Sequence, residues 1–159
     1  MTHRFFAALS VLAGHYCRHG FLLFLAFMLG SCVSVPDASP RDRALASNPP
    51  ATGKAKIFIY RPSRFLAGGV THRVFIDGRL LGTNASGTFL VGEIDSGRHT
   101  LSTGTDQHEL NAQAGATYYY EQYVWFGMGE PSNATALTQV SASEGRKGVA
   151  GCKQAVSNF

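Results

Sequence analysis

Charge is low in this sequence: Asp, Glu, Lys and Arg make up only 15% of its 159 residues, and the basic ones never gather into a run. A nucleic-acid partner is not expected on that ground, since phosphate recognition needs a basic patch or stripe. Cysteine is scarcer still. Cys17, Cys32 and Cys152 are too few and too dispersed for the disulfide framework of a small secreted domain. No apolar run reaches the roughly 20 residues needed to cross a bilayer as a helix. The longest starts at Phe21 and ends before Pro36, and His15, Arg18 and His19 separate it from the apolar patch upstream. An uncleaved membrane anchor is therefore the weaker of two readings for this segment. Helical periodicity is missing before the C-terminal tail. The G-x-S-x-G and G-x-x-x-x-G-K patterns are missing throughout, which leaves no nucleophile elbow and no phosphate loop.

What is present begins with a secretory layout. Residues 1–31 carry Arg4 and Arg18, then the apolar stretch Phe21 to Leu29, then small residues, the order of a signal peptide. Leu29-Gly30-Ser31-Cys32 resembles the bacterial lipobox. The resemblance implies cleavage between Ser31 and Cys32 and lipidation of Cys32, whose thiol is the nucleophile that takes the diacylglycerol. Two acyl chains, at roughly 0.8 kcal/mol per buried methylene, already hold a protein stably on a membrane. Val33, rather than Asp, follows the cysteine, which by the rule of that class implies the outer membrane, with the protein on its periplasmic face. Processing would leave 12 basic groups against 10 acidic ones, a charge of about +2, and Cys152 as the remaining thiol.

Residues 32–53 read as the lipidated N-terminus and a flexible tether, with Pro36, Pro40, Pro49 and Pro50 set among small and polar residues. A coil of that length has an average reach of roughly 25 Å.

From residue 54 the texture becomes that of strands. Lys56 to Arg61 is apolar on both faces. Thr71 to Ile76 and Arg79 to Gly82 flank Asp77-Gly78, a strong two-residue hairpin signal. Thr88 to Val91, Arg98 to Ser102, Gln107 to Asn111, Thr117 to Phe126 and Thr135 to Val140 follow, with turn residues between them. Turns spaced by about 8–12 residues predict an all-β domain, a small β-sandwich over 54–142. Residues 143–159 read as a tail; a short terminal helix over Ser143 to Gln154 is the alternative, and Gly145, Gly148 and Gly151 argue against a stable one.

The ordered series Val74-Phe75-Ile76-Asp77-Gly78-Arg79-Leu80-Leu81-Gly82, Phe89-Leu90-Val91 and Ser96-Gly97-Arg98-His99-Thr100-Leu101 resembles a PEGA-type module. Together with Ile57 to Pro62 and Ala114 to Tyr120, it is similar to a family of small bacterial lipoproteins of unknown function. The resemblance covers about Lys54 to Phe126. It implies an immunoglobulin-like or prealbumin-like sandwich acting as a binding or structural module, and it supplies no catalytic residues.

Chemistry-bearing residues are few. His72, His99 and His108 have acids near them in sequence, Asp77, Asp106 and Glu109, but no pair has metal-ligand spacing. Hydrogen-bonded strand histidines are the expectation, with no metal and no cofactor. Alternation along Thr117 to Phe126 places Tyr119, Tyr123 and Trp125 on one face, a candidate platform for a glycan strand or a protein partner. The alternative is a central strand covered on both sides. The chain is thus expected to be a lipid-anchored, non-catalytic envelope module whose partner is peptidoglycan or another envelope protein, the alternative being an envelope enzyme or inhibitor. Mass spectrometry of the mature protein should find Cys32 as an acylated N-terminus. An intact residue 1 would overturn the lipoprotein reading.

Overall fold

The computed structural model describes residues 34–64, 68–104, 106–125 and 134–159. The expected signal peptide, with Ser31 and Cys32, lies outside the described residues. In chain order the elements are helix α1 (Pro40–Ser47), strands β1 (Lys54–Arg61), β2 (His72–Ile76), β3 (Arg79–Asn84), β4 (Thr88–Asp95), β5 (Gly97–Thr103), β6 (Asp106–Ala112), β7 (Thr117–Val124) and β8 (Thr135–Val140), helix α2 (Ala142–Ala150) and strand β9 (Lys153–Gln154).

The strands form two sheets, one ordered β8-β7-β1-β4-β9 and the other β3-β2-β5-β6. Most pairings are antiparallel, but β1 pairs with β7, and β4 with β9, in parallel. Strand alternation sends Ala55, Ile57 and Ile59 of β1 inward. There they join Val74 and Ile76 of β2, Leu81 of β3, Leu90 of β4, Leu101 of β5 and Tyr120 of β7 in one cluster that both sheets share. Each Val, Ile or Leu among them contributes roughly 1.5–3 kcal/mol of burial. The hairpin between β2 and β3 forms where its sequence signal lies. Asp77 and Gly78 both take positive φ, 51° and 75°, as the two-residue turn with matching twist requires. Asp77 also accepts the Thr100 N–H at 2.9 Å, tying the turn to the neighbouring strand β5.

Strand β1 is apolar on both faces because both are covered. Its outward residues Phe58 and Tyr60 form a second cluster with Phe89 and Val91 of β4, and this cluster packs against Leu45, Ala46, Val149 and Cys152. The cover comes from the two segments read as tether and tail, so both expectations need correction.

Residues 34–53 are not a free tether. Ser39 and Asp42 form a reciprocal capping box at the start of α1. Asp37 bridges to Ala155, and the Val156 N–H donates to the Pro36 carbonyl at 3.0 Å. Lys56, only 2% exposed, points outward from β1 beneath the helix. Its ammonium donates to the Leu45 and Asn48 carbonyls at the helix C-terminus and lies 3.7 Å from Glu93. A buried ammonium is costly unless its donors are satisfied, and the negative end of a helix satisfies them. Burial holds the Lys56 pKa below its ordinary value, and Glu93 offsets part of that.

Residues 143–159 are not a tail either. Helix α2 starts with a second capping box, Ser141 and Glu144. Gly145 and Gly148, which lower helix propensity, are what lets it dock: a Cβ at either position would stand 2.2 Å from the ring of Tyr119 or Tyr60 respectively. Beyond α2, Ser157 Oγ accepts the Val91 N–H, and Phe159 packs against the inner core.

This packing fixes the sign of a substitution. On an unpacked helix Gly148→Ala would stabilise by up to about 1 kcal/mol. Here the clash with Tyr60 should make it destabilising by about 1–3 kcal/mol in urea unfolding. Gly151→Ala, whose Cβ would meet nothing closer than 3.6 Å, should be near neutral.

Candidate functional site

Because β1 and β7 are parallel, both leave the sheet at the same end. From β1 the chain passes through Pro62 and Ser63 to Arg64, and from β7 it reaches Trp125, whose N–H donates to the Ala134 carbonyl at 2.9 Å. Tyr123 and Trp125, two residues apart and so on one face, stack at 6.2 Å between ring centroids with 29° between planes. The Arg64 guanidinium lies 5.0 Å from the Tyr123 centroid, on the ring face. The result is a three-member stack whose outer member, Trp125, is 50% exposed.

The stack is held from below. Arg64 sits 3.5 Å from one oxygen of Glu121, and the other oxygen accepts the Tyr60 hydroxyl at 3.0 Å. Burial and this carboxylate push the Tyr60 pKa well above its ordinary value. The Arg64 N–H donates to Ser86 Oγ at 3.0 Å, and that hydroxyl donates back to the Arg64 carbonyl at 3.3 Å. Ser86 fixes the backbone of Arg64, and its exposed guanidinium is drawn to Glu121 and the Tyr123 ring, which orders the face it shares with Tyr123.

Tyr119 does not belong to this surface. It lies on the predicted face of β7 but stacks on Phe58 at 5.2 Å, beneath Gly145 of α2. The platform expected from Tyr119, Tyr123 and Trp125 therefore divides, with Tyr119 joining the packing and Arg64 taking its place. A second concavity of about 570 Å³ opens between the two helices, with Phe58, Phe89 and Tyr119 among its lining and Arg43 and Arg146 as its cations. Helix α1 was not read from the sequence and the glycines weighed against α2, so the concavity was not foreseen either.

The histidines stay apart. His99 Nδ1 lies 2.6 Å from Asp77 and its Nε2 lies 2.9 Å from the Asp95 carbonyl, which makes it a brace for the hairpin. Burial raises the Asp77 pKa, but the His99 ring and the Thr100 N–H outweigh that and leave it below the ordinary value. His72 is at the other end of β2, opposite Asn84, with its pKa lowered by burial and by the charge of Arg61. His108 meets the Tyr120 ring edge-on at 5.0 Å. Among the described residues no three His, Cys, Asp or Glu groups come together as a metal site.

Residues 51–135 match the model of a family described as "Protein of unknown function (DUF2846)". The chain belongs to the DUF2846 family. It is also 30% identical, over 143 residues, to an uncharacterized protein of Haemophilus influenzae, a match covering 86% of this chain and 83% of that one. No solved structure matches it. The DUF2846 match takes in Arg64, Glu121, Tyr123 and Trp125 together with strands β1 to β7. Helices α1 and α2 fall outside the matched range.

Cys152 lies 3.5 Å from the Arg61 carbonyl, and burial, with the Glu121 charge, pushes its thiol up to about 11. A raised pKa means less thiolate at a given pH, the reverse of an activated nucleophile. At pH 8 its alkylation should be about a hundredfold slower in the folded protein than in urea, read by mass spectrometry of the Cys152 peptide.

Proposed function

We propose that this DUF2846 protein is a lipid-anchored lipoprotein of the bacterial cell envelope, on the periplasmic face of the outer membrane, and works there as a non-catalytic binding or structural module. The location rests on the sequence Leu29-Gly30-Ser31-Cys32 behind its apolar stretch, with Val33 following. The mode of action rests on one observation above all: the exposed Trp125–Tyr123–Arg64 stack, fixed by Glu121 and Ser86 at the end of two parallel strands. Rigid aromatic surface with a polar edge gives contact area at low entropic cost, as binding surfaces require. We also read the two sheets and their shared core as a PEGA-like sandwich, an assignment supported by the order of its turns and by the Asp77-Gly78 hairpin.

Anchoring predicts a simple fractionation result. The natural protein should stay with the membranes through an alkaline carbonate wash. A version in which residues 1–32 are replaced by an ordinary cleavable secretory signal should be recovered from the soluble periplasm. Release of the natural protein by the wash would overturn the anchor.

A further inference from the structure

A lipid anchor at Cys32, as proposed, would bring the described residues nearest to it close to the membrane. Ser34 and Val35 line a pocket of about 410 Å³ with Ser63, Ser86, Thr88 and Lys153, and Val35 packs against the inner core. Pro36, Asp37 and Ala38 are bound through backbone contacts to Val156, Ala155 and Gln154. Only two residue steps separate Ser34 from Cys32, which covalent geometry limits to about 7 Å. An acylated Cys32 sits at the level of the lipid headgroups. The end of the domain that holds Ser34 therefore has no slack with which to leave the bilayer.

The same end carries the aromatic stack. Ser86, in the lining beside Ser34, is hydrogen-bonded to the backbone of Arg64, Arg64 covers Tyr123, and Tyr123 stacks on Trp125. Trp and Tyr favour the membrane–water interface because an apolar ring and a polar atom are both accommodated there. An arginine beside them lays its aliphatic stem along the rings and keeps its charge among the headgroups. Lys153, exposed at the same pocket, adds a second cation, while Asp37 contributes a carboxylate.

We infer that this end of the domain rests on the membrane that holds Cys32, with Trp125, Tyr123 and Arg64 seated among the lipid headgroups. The inference rests on the lipoprotein reading and adds an orientation to it. The far end, at the turn Ala114–Gly115, where the Gly115 N–H donates to the Lys54 carbonyl at the start of β1, then faces the periplasm. A strand the length of β1 separates the two ends by about 25 Å.

Trp125 is the only tryptophan of the chain, so its emission reports the site without a label. The full-length acylated protein would be reconstituted in phosphatidylethanolamine–phosphatidylglycerol vesicles containing lipids brominated near the top of the acyl chains. Trp125 should be quenched at least fivefold more than a reporter at the far end, Ala114→Trp in a Trp125→Phe background, and should be shielded from aqueous iodide. Equal quenching of the two reporters, or free access of iodide to Trp125, would overturn the orientation and return the stack to a peptidoglycan or protein partner. The Cys32 peptide of the same preparation separates the two ideas. Acyl chains present with Trp125 unquenched overturns the orientation alone, and acyl chains absent overturns both.

Discussion

Everything in this domain is arranged around the fact that β1 is buried on both of its faces. A sheet in a two-layer β-protein normally needs cover on one side only, and water finishes the other. Here the outer side of β1 carries Phe58, Tyr60 and the ammonium of Lys56, none of which can be left to solvent without cost. The cover has to come from outside the strands. The two short helices supply it from opposite ends of the chain, one tied down by Lys56 and the other seated on bare glycine faces. The stack at Trp125 depends on the same arrangement, because the Tyr60 hydroxyl that steadies Glu121 belongs to a ring which α2 holds in place.

The strands were legible in the sequence because the signals that make them are local. Alternation of side chains and the turn chemistry of Asp77-Gly78 act over a few residues and need no tertiary help. Helix α1 was not legible, and α2 only as an alternative to a tail, for the opposite reason. Helix α1 is short and polar and draws its stability from an ammonium on a strand that follows it. Helix α2 contains the residues that most weaken an isolated helix, and those residues are its packing surface. Prolines among small polar residues do describe a flexible chain in isolation. They give no warning of a neighbouring surface that such a chain can cover.

The candidate site divides along the same line. Period-two alternation was enough to place Tyr119, Tyr123 and Trp125 on one face. It was blind to what lies over that face, and so to the loss of Tyr119 beneath α2. Arg64 was out of reach for a different reason, since it comes from another strand and meets Tyr123 only because β1 and β7 are parallel. The proposed lipobox, Leu29-Gly30-Ser31-Cys32, is a different case. It lies outside the described residues, and its reading rests on local sequence alone.

The bridge between Asp37 and Ala155 joins segments from the two extremities of the folded chain. Gln154, Ala155 and Val156 hold residues 36–38 through their backbone. A contact so distant in sequence closes a long loop, and the assembled sheets must already have offset the entropy of that closure. The fastening of this segment is therefore cooperative with the whole domain: it holds while the sheets hold and is released when they open.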